Sequence, residues 1–379
     1  MAGALRAGDR ESVDLFVAGT GGYFLYRIPG LVVTRRGTVL AYCEARRHTG
    51  SDWDDIDLLL RRSAGGAKAF EPARPLPRVA GPVERNPVAI ERKQGNDEWR
   101  TYNNPVAIAA RDGRIHLLFC VEYMRVFHTH SDDDGKTFVP PVEITSALEP
   151  LRRAYPWRVV ATGPGHGIEL RRGRLVVPIW LALGTEGNGH GPSVNATIYS
   201  DDHGHSWKGG EISVAERSDF PNANETAVIE RADGGVVMNM RTTSPKNRRA
   251  ISMSPDGATR WSEPRFDETL TDPICCAGLV QLPARKGSPL WAFSNPDCVT
   301  RADGRSIASK DRRNLTLRFS HDEGRTWTDS HVLEPGPAGY SDLAASGNHT
   351  LFCLFETRGE GGAAVLRLLR LRTAKLVSS

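Results

Sequence analysis

The sequence has no C-x-x-C pair, no block of like charge and no long apolar run. Each absence removes a class of protein. Six cysteines are scattered at positions 43, 120, 275, 276, 298 and 353; that distribution speaks against a zinc site, and no metal or cofactor is expected. Cys43, Cys120 and Cys353 lie in strand-like apolar runs and read as buried thiols rather than bridges. Lys plus Arg total 49 against Asp plus Glu 45, and the net +4 is too evenly spread to form a nucleic-acid arm. The opening "MAGALRAGDRESVDLF" holds no apolar stretch of signal-peptide length. The most apolar segment, Leu175 to Leu183, contains a proline and is too short to span a bilayer, so no membrane insertion is expected. Helical periodicity is missing too, because no segment keeps a long 3.6-residue repeat of apolar positions.

Repetition is what the chain does have. "SDDDGKTF" runs from Ser131 to Phe138, "SDDHGHSW" from Ser200 to Trp207 and "SHDEGRTW" from Ser320 to Trp327. "SPDGATRW" at Ser254 is a displaced copy, and "SAGGAKAF" at Ser63 keeps only the ends. The five begin 68, 69, 54 and 66 residues apart, and a unit of roughly 60 residues fits this length about six times. Each copy follows a strand-like run such as "DLLLRRS", "ATIYS" or "LTLRFS" and precedes another short apolar segment, which reads as a β-hairpin. In such a turn an Asp side chain accepts backbone N–H bonds, a Gly takes positive φ and the terminal aromatic buries itself between sheets. The repeat is therefore architectural. The expected fold is all-β: a six-bladed β-propeller of four-stranded antiparallel sheets, forming one domain over residues 1–379.

Other stretches make little sense as packing. "YRIPG" puts Arg27 in an apolar strand entry, "NETAVIERADGGVVMNMR" carries Glu225 and Arg241 at its two ends, and "DRRNLTLRFS" starts a strand with Arg312 and Arg313. "GYSDLA" sets Tyr340 in a polar, Gly-flanked bend, and "CLFETRG" ends an apolar strand with Glu356. Taken singly, each arginine reads as a solvated strand end. In a propeller, however, strand ends of one face converge on the axis, where three guanidiniums would repel unless an anion joined them. A planar carboxylate fits the guanidinium fork with charge-assisted bonds.

The ordered set of "RIPG", Asp boxes, "NE…NMR", "RRNLTLR" and "GYSDL" resembles the bacterial exo-α-sialidase (neuraminidase) family, from about Tyr26 to Glu356. The resemblance implies a metal-independent glycoside hydrolase that releases terminal sialic acids from glycoconjugates with retention, through a covalent sialyl-tyrosine. It implies that Arg27, Arg241 and Arg312 hold the substrate carboxylate, with Arg312 preferred to Arg313. Glu356 would orient the first arginine. Tyr340 would be the nucleophile, Glu225 its activating base and Asp52 the general acid/base, selected over Asp54, Asp55 and Asp57 by its spacing from Arg27 and Arg61. Arg46 and Asn104 match positions near the sugar. His166 could reach a glycerol side chain or be a satisfied loop histidine, and Trp53 and Trp157 could wall an acyl pocket or simply pack. The chemistry agrees: a neutral phenol suits an anomeric centre that already bears a carboxylate, and a phenol of ordinary pKa near 10 needs a base. Sialidases with a tyrosine nucleophile are established exceptions among glycosidases. Expected partners are sialylated glycans, met outside a bacterial cell or in its periplasm. The alternatives are a lectin-like propeller that has lost catalysis, or a glycosidase that acts on a related nonulosonic acid or by intramolecular transfer.

Overall fold

The computed structural model describes residues 10–217, 219–285, 288–298, 312–347 and 349–373. It is built almost wholly of antiparallel strands. One four-stranded sheet joins Leu25–Val33, Val39–Arg46, Ile56–Ser63 and Arg74–Pro75. Another joins Thr226–Glu230, Val236–Met240, Arg248–Ser254 and Arg265–Thr271. The sheet built on Tyr102–Ala109, Ile115–Val121 and Arg125–Ser131 gains a fifth strand because Gly165–His166 pairs parallel to its inner edge. That built on Leu175–Glu186 and Gly191–Ser200 is likewise five-stranded, because Ile168–Glu169 also pairs with Leu175–Glu186.

The largest sheet has seven strands. Its long strand Ser330–Ser346 pairs through its first half with Arg313–Ser320 and through its second half with Thr350–Arg358. Arg10–Val17 then completes the far edge by pairing with Ala364–Arg372. Strand count thus departs from a uniform four where a strand is shared or a Gly-rich bend is spliced in.

The core is a set of apolar seams between successive sheets. Leu40, Tyr42, Leu58 and Leu60 meet Leu117, Phe119 and Phe127 across one seam. Leu15, Leu366 and Leu368 meet Leu31, Ala41 and Cys43 across another. Each fully buried leucine in such a seam contributes about 2 kcal/mol. A cavity of about 360 Å³ is lined by Leu31–Val33, Ile108, His166–Glu169, Val228–Glu230, Leu279–Gln281 and Leu343–Ala345. These are segments from the inner strands of all the sheets, so those strands surround one channel.

The Asp boxes are turns before the outer strand. In the first complete one, Asp133 accepts from Thr137 N at 2.8 Å and Ser131 Oγ at 2.8 Å, while Gly135 N donates to Ser131 Oγ. Gly135 has φ +78°, which explains the glycine there. The same bonds recur at Asp202 and Asp322. Trp207 is buried against His116 and His128 of the neighbouring sheet. In the copy that begins at Ser63 the aspartate is missing, and among the described residues the buried Ser63 Oγ has no hydrogen-bond partner. Two short helices, Pro87–Glu91 and Glu149–Ala154, occupy connections. No helix among the described residues is long and apolar enough to cross a membrane. All six cysteines are buried, and no disulfide joins them among the described residues.

Candidate active site

Three inner strands share one irregularity. Pairing registers shift between Arg27 and Gly30, between Asn103 and Val106, and between Ala338 and Ser341. A bulge bends a strand and re-aims its side chains. Prolines mark two of these places, Pro29 after Ile28 (φ 58°) and Pro105 after Asn104 (φ 50°), consistent with the confinement of proline to bulges and edges. Arg27, Asn104 and Tyr340 are thereby brought to the wall of a single cavity of about 690 Å³.

Asp52, Glu225, Arg241 and Arg312 line the same cavity. The three arginines converge on one ring. The guanidinium carbons of Arg27 and Arg312 lie 5.0 and 5.1 Å from the centroid of Tyr340, and Arg241 NH1 donates to the Tyr340 hydroxyl at 2.7 Å. The Tyr340 hydroxyl donates in turn to Glu225 Oε1. Glu225 Oε2 accepts from Arg241 NH1 at 2.5 Å. Among the described residues the buried Nε atoms of Arg241 and Arg312 have no partner, so the cluster keeps donors to spare for an anion.

Glu356 stands behind Arg27. It accepts from Arg27 Nε at 3.1 Å and from the backbone N–H groups of Ile28 and Tyr340, each at 3.2 Å. Burial raises its carboxyl, but Arg27 and Arg312 outweigh burial and hold it below the usual range. Arg46 is fully buried between Glu44 Oε2 at 2.7 Å and Asp52 Oδ1 at 2.8 Å, and Glu44 also accepts the backbone N–H of Asn104. Arg46 and Asn104 are thus tied together through one buried glutamate.

The acidic loop separates cleanly. Asp54 caps the backbone N–H groups of His48, Thr49 and Gly50. Asp55 pairs with Arg47, and Asp57 with Arg47 and Arg78. Of the four, Asp52 alone faces the cavity. Burial would raise its carboxyl, yet Arg46, His190 and Arg27 together hold it well below the ordinary range. Tyr340 moves the other way, pushed well above 10 mainly by burial, with Arg241 opposing and Glu225 adding. The phenol is therefore neutral and cannot become a phenolate without a base.

Other candidates fall elsewhere. His166 lines the channel along the axis, with Nδ1 2.8 Å from Asp342 Oδ1. Trp53 is buried, donates to Asn188 O at 2.7 Å and packs on Tyr123. Trp157 is buried in a seam with Arg152 over its ring at 3.6 Å. Arg313 is absent from the cavity lining. The wall also holds residues that the sequence does not single out, among them Tyr123, Trp180, Asn188 and His190. Asn188 Nδ2 donates to Asp52 Oδ2 at 3.0 Å, and His190 Nδ1 lies 3.9 Å from the same oxygen. "NGHG" carries no spacing signal that sets it apart from an ordinary turn.

The chain belongs to the BNR repeat-like domain family, whose model matches residues 84–353. Within that class it is similar to sialidases, in agreement with the resemblance read from the motifs. It is 28% identical to a sialidase of Bacteroides fragilis over 92% of this chain and 63% of that one. It is 29% identical to a sialidase of Micromonospora viridifaciens, over 90% of this chain and 51% of that one. The chain thus spans between half and two thirds of the length of these curated relatives. The solved structure of the Hadza microbial sialidase Hz136 superposes with a TM-score of 0.77 at 24% identity, covering 97% of this chain and 69% of that one. That likeness is one of fold.

Proposed function

We propose that this chain is an exo-α-sialidase that hydrolyses terminal sialic acids from glycoconjugates with retention. The observation that carries the reading is the Tyr340–Glu225 hydrogen bond inside a cavity faced by Arg27, Arg241 and Arg312. A site that only bound a glycan would have no use for a phenol joined to a carboxylate. In the first step the Tyr340 oxygen attacks the anomeric carbon, Glu225 takes the phenolic proton and Asp52 protonates the departing glycosidic oxygen. In the second, Asp52 takes a proton from water, the water oxygen displaces Tyr340, and Glu225 returns the proton to the phenol. The three arginines bind and orient the substrate carboxylate. Arg46 keeps Asp52 in place, and Glu356 does the same for Arg27.

Asp52 is ionised in the free protein, so it must gain a proton before it can act as the acid. A substrate carboxylate that shares Arg27 weakens the arginine's pull on Asp52 and raises its proton affinity, against the remaining pull of Arg46. The fold supports the same reading. Five apolar seams lie between successive sheets and a sixth lies within the seven-stranded sheet, and with a channel lined by all the inner strands they suit a six-bladed propeller; the seven-stranded sheet then counts as two blades sharing Ser330–Ser346. Pairing of Arg10–Val17 with Ala364–Arg372 favours one catalytic domain.

The test is hydrolysis of a fluorogenic α-ketoside of N-acetylneuraminic acid, with proton NMR following the sugar released first. The α-anomer is expected. First release of the β-anomer would overturn retention, and no release with binding of free sialic acid would make the site a lectin. Release of an anhydro-sugar would show intramolecular transfer.

A further inference from the structure

Asp342 stands two residues beyond Tyr340 on Ser330–Ser346, and its side chain is almost fully buried. Its Oδ2 accepts the backbone N–H of Leu31 at 2.8 Å, four residues beyond Arg27 on the same strand. Its Oδ1 accepts from Leu343 N at 2.9 Å and meets His166 Nδ1 at 2.8 Å. His166 lies on Gly165–His166, which pairs in parallel with the strand that carries Asn104. One carboxylate therefore ties together the three inner segments that begin at Tyr340, Arg27 and Asn104. Gly165 makes the approach possible: at φ +94°, a Cβ there would come within 3.3 Å of Asp342 Oδ1.

The other ionisable groups acting on Asp342 are Tyr42, Cys276 and Cys353, each pushed up chiefly by burial and so neutral. Glu169 and Glu230 line the same channel but pair with Arg111 and Arg171. Among the described residues His166 is then the cation that faces this carboxylate. Burial lowers the imidazole, and Asp342 outweighs burial, so His166 titrates above its usual 6.5. The ion pair is intact below that pH and loses its charge as pH rises through the raised value.

We propose that His166 and Asp342 are positioning residues for Tyr340: the pair clamps the nucleophile's strand to those of Arg27 and Asn104, and the clamp loosens when His166 loses its proton. The inference rests on Tyr340 being the nucleophile. A shift of the phenol by a fraction of an ångström leaves substrate binding to the arginines nearly intact yet lowers the rate of attack.

The experiment compares the full chain with His166→Gln, Asp342→Asn and Tyr340→Phe, measuring kcat and KM on the fluorogenic ketoside from pH 5 to 9, with thermal unfolding alongside. His166→Gln keeps a donor without the charge. Its kcat is expected to fall about tenfold at the acidic end with KM nearly unchanged, and the alkaline decline of the parent should flatten. Asp342→Asn should lower kcat at every pH. If His166→Gln kept the parental kcat and pH profile, even with a lowered Tm, the pair would be a structural clasp only and the proposal would be wrong. Near-parental turnover by Tyr340→Phe would instead overturn the nucleophile, whatever the other variants did.

Discussion

The Tyr340 hydroxyl accepts a hydrogen bond from Arg241 NH1 and gives its own proton to Glu225. Both partners flank one hairpin, side by side at its open end, just before Thr226–Glu230 and just after Val236–Met240. A single hairpin thus presents a base and a cation to a phenol brought from another sheet. The arginine favours the ionised phenol, and the glutamate is placed to accept the phenolic proton.

Removing the phenol should separate chemistry from binding. Tyr340→Phe is expected to abolish normal turnover while leaving affinity for free sialic acid close to the parent's, as read by calorimetry. Glu225→Gln should lower kcat by about 10²–10⁴-fold. Arg27→Ala, by contrast, should weaken sialic-acid binding by about 2 kcal/mol, the scale of a hydrogen bond to a charged group. Equal loss of affinity in all three would contradict the division of roles.

Proton uptake should accompany binding. In the free protein Asp52 is held low by Arg46, His190 and Arg27 against the effect of burial. A bound carboxylate shares Arg27, so the pKa of Asp52 is higher in the complex than in the free protein. The sign follows: binding takes up protons, and affinity rises as pH falls, until free Asp52 itself titrates. Calorimetry in buffers of different ionisation enthalpy would measure the uptake. Asp52→Asn should remove it, and uptake unchanged in that variant would place the proton elsewhere.

The repeat turns offer a test of architecture without chemistry. Burial opposes ionisation of Asp133, but its bonds from Thr137 and Ser131 win and bring its carboxyl down to about 2. Its contribution to stability is complete above the usual carboxylate pKa and fades as pH falls toward that value. Asp133→Ala is expected to cost about 1–2 kcal/mol in urea unfolding at neutral pH, with kcat untouched. Ser63→Ala should be neutral or stabilising by about 1 kcal/mol, because it removes a buried hydroxyl that has no partner.

What could be read from the sequence follows how local each signal is. The Asp boxes are legible because Ser, Asp and Gly satisfy one another within a few residues. Arg27, Arg241, Arg312 and Tyr340 stand out only together: singly each arginine reads as a solvated strand end, and the ordered set of motifs around them marks the site. Asn188 and His190 do not stand out: what matters is that their loop folds over Asp52, a contact between residues 136 positions apart. The strand Ser330–Ser346 was illegible for another reason. Pro335, Pro337 and Gly339 look like breaks in it, whereas in the folded chain they fall where the strand leaves one partner for the next.

Arg10 pairs with Leu371, and Val17 with Val365. Arg10–Val17 is therefore made long before the strand with which it pairs. Until the C-terminal strand emerges, the last sheet keeps an open edge and Arg10–Val17 has no partner. Pairings across such sequence distances are slow and expose strand edges to other chains. A chain stalled before Ala364–Arg372 was made would leave the edge of Thr350–Arg358 and the whole of Arg10–Val17 open to pairing with a neighbouring chain.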